Sequence, residues 1–124
     1  MPPTPLARVR KLCLSHPDTT ELRSWGAPTF RVRGRVFAMY AAAGDHRDYA
    51  KPAVWLACTQ TNQEFMIADR PKTCFKPPYV GPSGWVGLYL DGRVNWTMVA
   101  ECVRDAYDMI AAKARPKRAT KPAR

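Results

Sequence analysis

Residues 25–40, WGAPTFRVRGRVFAMY, decide the fold. Phe30 and Val32 alternate with Arg31 and Arg33, and Gly34-Arg35 follows as a Gly-X pair. Glycine at the first central position suits a two-residue II′ loop, whose twist matches a hairpin. Such a loop pairs Arg33 with Val36, Val32 with Phe37 and Phe30 with Met39. The period of two then gathers Phe30, Val32, Phe37 and Met39 on one face and turns Arg31 and Arg33 to the other. A charged hairpin on a small basic protein suits a surface that meets polyanions.

Working outward, the remaining elements follow from periodicity and punctuation. Thr4 is placed to cap a helix with Pro5 in its first turn. Leu6, Val9, Leu12 and Cys13 recur at helical spacing up to the stop at His16-Pro17. Residues 18–22 read as a linker or short turn. Behind the hairpin come a polar turn at residues 44–48 and an apolar strand at 53–58. Thr61 and Glu64 have capping-box spacing, which starts a short helix ending at residue 69. Residues 73–76 form a brief strand and 76–84 a proline- and glycine-rich loop. Residues 85–90 are a strand, with Val86, Leu88 and Leu90 on one face. Asn95 caps a last helix whose stripe is Trp96, Val99, Val103, Tyr107 and Ile110, ending near residue 112. Consecutive strands with helices set apart imply an α+β two-layer sandwich: an antiparallel sheet with helices on one face, in the order α-β-β-β-α-β-β-α.

The chain has 124 residues, 46% of them hydrophobic and 24% charged, which suits one globular domain. Residues 1–112 are that domain. The net charge of +10 divides unevenly: residues 113–124, KARPKRATKPAR, hold six Lys or Arg and no acid. That segment, without large apolar residues, is expected to be a disordered basic tail, either solubilising or phosphate-binding. No run reaches the roughly 20 apolar residues of a membrane span. Arg8, Arg10 and Lys11 interrupt any signal-peptide core, so a cytoplasmic protein with no membrane association is expected. Cys13, Cys58, Cys74 and Cys102 form no Cys-x-x-Cys pair and read as reduced, mostly buried thiols. His16 and His46 anchor no metal set or nucleophile-base pair, and Asp45, Asp48, Asp69 and Asp91 supply no acid-base couple. No cofactor, metal or catalytic residue is expected, and the chain is not read as an enzyme.

Three segments carry a resemblance: LCLSHPDTTELRSWGAPTFRVRGRVFAMY, PPYVGPSGWVGLYLD and VNWTMVAECVRDAYDMIA. In this order and spacing they resemble the MmcQ/YjbR-like family, from about residue 6 to residue 112. The resemblance implies a fold similar to CyaY (frataxin-like) and secretion-chaperone-like proteins, with the element order read from pattern. It also implies DNA as a partner, since the family is commonly described as DNA-binding with a double-wing arrangement. No catalytic residue set or cofactor comes with it.

The candidate sites follow. Arg31, Arg33 and Arg35 form either a wing on phosphates or a solvated strand face, and Lys76 and the tail add positive charge. Tyr79 and Trp85, beside Gly81 and Gly84, form either a small ligand-binding aromatic pocket or the packed underside of a stiff loop. Trp25, Trp55 and Trp96 are expected at the core or its edge. The function expected is DNA binding through phosphates. The alternative is a non-enzymatic module that binds a small ligand or a protein on the exposed sheet face, an analogy of fold alone.

Overall fold

The computed structural model describes residues 3–42 and 51–114. The polar turn at 44–48, with Asp45, His46 and Asp48, and residues 115–124 of the basic tail lie outside the described residues. Helix α1 (Pro5–Leu14) is followed by strands β1 (Thr19–Ser24), β2 (Ala27–Val32), β3 (Arg35–Ala41) and β4 (Ala53–Leu56). Then come α2 (Gln60–Asp69), β5 (Cys74–Phe75), a 3₁₀ turn (Gly81–Ser83), β6 (Val86–Tyr89) and α3 (Trp96–Ala114). The result is an α+β fold with a six-stranded antiparallel sheet in the order β1-β2-β3-β4-β6-β5. The order of helices and strands is the expected one, with β1 added where a linker was expected. β1 is a polar edge strand whose sequence, TTELRS, lacks the apolar alternation that marks a strand.

The caps show which local signals were sufficient. The Thr4 hydroxyl accepts from the Ala7 N–H at 3.1 Å, and Asn95 Oδ1 accepts from the Met98 N–H at 3.1 Å. The second helix starts earlier than its capping-box spacing implies. Thr59, not Thr61, is its cap, accepting from the Asn62 N–H at 3.2 Å.

The β2–β3 hairpin forms, but one residue out of the expected register. Val32 pairs with Arg35 and Arg31 with Val36, so Arg33-Gly34 is the two-residue loop. Both loop residues have positive φ, 46° and 87°, which is a type I′ turn. The ladder then shifts by one: Phe30 pairs with Ala38 and Thr29 with Met39. The extra residue, Phe37, forms a bulge that keeps its ring on the helix side, edge-on to Tyr107 at 5.5 Å. Met39 goes to the opposite face. Arg33 leaves the strand altogether.

Phe30, Val32, Phe37, Leu56, Val86 and Leu88 are buried with Val99, Val103, Ala106, Tyr107 and Ile110 of α3, and with Val9 and Cys13 of α1. At roughly 25 cal/mol per Å² of apolar surface, this stripe-on-sheet contact dominates stability. The other face is also closed over its centre, where Thr29, Met39, Ala41, Ala53 and Trp55 are all buried. Its borders are more open: Leu22 of β1 is exposed, and Phe75 of β5 and Tyr89 of β6 are half-buried.

Candidate nucleic-acid interface

The register puts specific residues at each end of the sheet. At one end Ser24, Ala27, Ala41, Ala53 and Tyr89 are neighbours across the ladder. This end carries the β1–β2 turn, the start of β4 and the chain leaving β6 for α3. Helix α1 starts here too, since Arg8 lies over the Trp96 ring at 4.5 Å. At the opposite end, Tyr107 of α3 stacks on His16 at 4.6 Å and donates to the Pro17 carbonyl at 2.7 Å. Helices α1 and α3 therefore point their N-termini, the positive dipole ends, toward the first end.

That first end holds a cavity of about 320 Å³ lined by Lys51, Arg70, Lys72 and Arg93 with Tyr89, Asp91 and Asn95. Lys51 lies over Tyr89 at 4.9 Å, and Tyr89 stacks on Phe75 at 4.3 Å. Arg70 makes a loose exposed pair with Asp69 at 3.6 Å. Four cations near a helix N-terminus favour an anionic occupant, because side-chain charge and the helix dipole act on it together. Sequence reading missed this group. Its members come from three separate segments, and the order β4-β6-β5 brings them together.

The expected site residues divide. Arg31 leans toward this end, with Nη2 donating to Ser24 Oγ at 3.0 Å and Nε to Thr29 Oγ1 at 3.4 Å. Arg33 sits at the far end, where its guanidinium donates to Asp18 at 2.9 Å and to the Ala111 carbonyl at 3.0 Å. A cation on one of the last carbonyls of α3 completes that helix end. Arg35 is exposed at the same far end. The three arginines thus form no single row. Arg33→Ala is expected to lower stability by about 1–3 kcal/mol, seen as a lower urea midpoint, because it removes charge-assisted bonds to Asp18 and to a part-buried carbonyl near the end of α3. Unchanged stability would show that these contacts hold nothing.

Lys76 is exposed, and its stem lies against Gly81, where a Cβ would come within 2.6 Å of Lys76 Cγ. Trp85 is buried and Tyr79 is 79% exposed with φ at 65°, so the two rings take opposite environments. Gln63, itself buried, donates to the carbonyls of Gly81 at 2.8 Å and Trp85 at 2.6 Å, which holds the loop down. Trp55 is buried and Trp96 half-buried, as expected; Trp25 is 80% exposed, contrary to expectation.

A second cleft, of about 310 Å³, lies between α2 and α3 and is lined by Leu56, Cys58, Met66, Cys102, Asp105 and Met109. Burial pushes the Cys102 thiol up to about 11 and raises Cys13, Cys58 and Cys74 as well. All four cysteines are unpaired thiols. Raised values keep them protonated, away from the thiolate form that attacks or ligates. The Glu21 carboxyl is held below its usual range by Arg10, which grips it at 2.6 and 2.8 Å and ties α1 to β1. No helix among the described residues is long and apolar enough to cross a membrane, and no group of three metal-ligating side chains is found among them.

Comparison with known proteins agrees with the fold. No curated protein matches the chain. A solved structure, the Deinococcus radiodurans protein DR2400, described as a DUF419 domain, superposes with a TM-score of 0.73 at 20% identity. The match covers 88% of this chain and 80% of that one, and at this identity it shows a shared fold. The YjbR family model matches residues 14–109, from the end of α1 into the last turns of α3. The hairpin, the glycine-containing strand and the α3 stripe as far as Tyr107 fall within that match, and the chain belongs to the YjbR family.

Proposed function

We propose that the protein binds nucleic acid through its phosphates, at the sheet end that carries the cationic cavity. The supporting observation is that Lys51, Arg70, Lys72 and Arg93 surround one concavity into which α3 opens its N-terminus. Arginine forks and lysine ammonium groups both match phosphate oxygens, and the positive end of the α3 dipole favours an anion there. Contacts of this kind position a strand without reading its sequence. In this reading the hairpin contributes Arg31, Arg33 serves the fold, Arg35 lies at the far end away from the site, and the tail adds an unspecific attraction.

Counterion release gives the test. Removing two phosphate contacts with Lys72→Ala/Arg93→Ala is expected to flatten the log-log salt slope by about 1.4–1.8. Arg33→Ala leaves the slope of the folded protein unchanged. A double variant with the wild-type slope and affinity overturns the assignment of the site. The rival reading, a small-ligand module, has its geometry in the 310 Å³ cleft between α2 and α3. It is favoured instead if the full chain shows no salt-dependent affinity for nucleic acid.

A further inference from the structure

Folding does not account for the placement of Trp25. It is the first central residue of the turn between β1 and β2, with φ at 54°, followed by Gly26 at 76°. Such a type I′ turn is ordinarily made by Asn-Gly, because bulky side chains are disfavoured in the left-handed region. The ring gains little packing in return, since it is 80% exposed. Two guanidinium groups are fixed beside it. Arg23 donates to the Gly26 carbonyl at 2.6 Å, and Arg31 donates to Ser24 Oγ at 3.0 Å. Both arginines retain further donors that point to an anionic partner rather than an apolar one.

Trp25 also shares its end of the sheet with the cationic cavity. Counting strands at about 4.8 Å each from the β1–β2 turn to β6 separates the two by roughly 17 Å. That distance spans a few nucleotides of extended strand. We infer that Trp25 and the cavity form one track for single-stranded nucleic acid, with a base stacked on Trp25 and a phosphate further along the strand in the cavity. The inference rests on the phosphate-binding reading above and adds the form of the strand. In a duplex the bases are stacked on each other, so an exposed ring on a turn finds no face to cover. In a single strand every base has a free face, and stacking on an aromatic side chain tolerates any sequence.

The test uses the full chain, an oligothymidylate of about eight nucleotides and a duplex of the same length. Trp55 and Trp85 are buried and Trp96 is half-buried, so Trp25 dominates solvent-exposed tryptophan emission. The single strand is expected to quench that emission and to bind more tightly than the duplex. Trp25→Asn, which suits the left-handed turn and keeps the fold, is expected to weaken single-strand binding roughly ten-fold or more. It leaves the salt slope unchanged, and Trp25→Phe restores most of the affinity. Equal affinity for the two strand forms, or wild-type affinity in Trp25→Asn, overturns the track. If Lys72→Ala/Arg93→Ala still flattens the slope in that case, the phosphate-binding reading stands without it. No salt-dependent binding to either form overturns both.

Discussion

Phe30→Ala is expected to lower the unfolding free energy by about 3–5 kcal/mol. Phe30 is fully buried on the helix side of β2, across from Ala38 on one neighbouring strand and Glu21 on the other. The small Ala38 beside it leaves the ring to fill the space beneath the helices. Removing the ring loses its transfer free energy and leaves a cavity that a paired central strand cannot collapse into. Since domains of this size have about 5–15 kcal/mol in total, much of the stability goes with one side chain. A urea titration followed by far-UV circular dichroism measures the effect, and Phe30→Leu separates volume from aromaticity with a smaller loss. A midpoint unchanged in Phe30→Ala would mean that the ring is not in the core.

Gly84→Ala is expected to cost about 2–5 kcal/mol, from two causes that add. Gly84 closes the 3₁₀ turn with φ at 100°, where a side chain is strained whatever the space. A Cβ there would also come within 2.9 Å of the Cys58 carbonyl oxygen and the Gln60 amide nitrogen. These are backbone atoms at the entry to α2, so they cannot rotate aside. Gly34→Ala supplies the internal control. Gly34 has φ at 87° but nothing within 4 Å of a Cβ, so it meets the strain alone, about 1–2 kcal/mol. Thermal unfolding of the two variants measures the difference, and equal losses would show that the close approach of the loop to α2 contributes nothing. The buried Gln63, bonded to Gly81 and Trp85, fastens the same contact from the α2 side.

The arginines show how a turn shift changes a functional reading. Alternation placed Arg31 and Arg33 on one exposed strand face, which made a plausible wing. One bulged residue, Phe37, moves Arg33 into the turn, where it binds Asp18 and the Ala111 carbonyl. This bulge depends on whether the Phe37 ring fits against Tyr107 of α3, a helix far along the chain, so period-two reasoning has no access to it. Trp25 was misread for a related reason. With β1 taken as a linker, Trp25-Gly26 had no flanking strand and was not recognisable as a hairpin turn. Had TTELRS been paired with the apolar strand after it, the two-residue connection would have exposed the tryptophan at once.

The helices, most of the strands and the buried side of α3 were legible in the sequence, whereas β1 and the faces of Met39 and Arg33 were not. The α3 stripe, the caps Thr4 and Asn95, the apolar strands and the three family-like segments are local patterns, and local hydrogen bonding and burial enforce them. Tertiary structure alone decided where charge accumulates. Lys51, Arg70, Lys72 and Arg93 carry no shared spacing, and they meet because β6 inserts between β4 and β5 and because α3 begins where β6 ends. Charges on exposed positions leave no periodic trace, since solvent accepts them anywhere. Which of them face one another is therefore a property of strand order, and strand order is set by the packing of the apolar face beneath the helices.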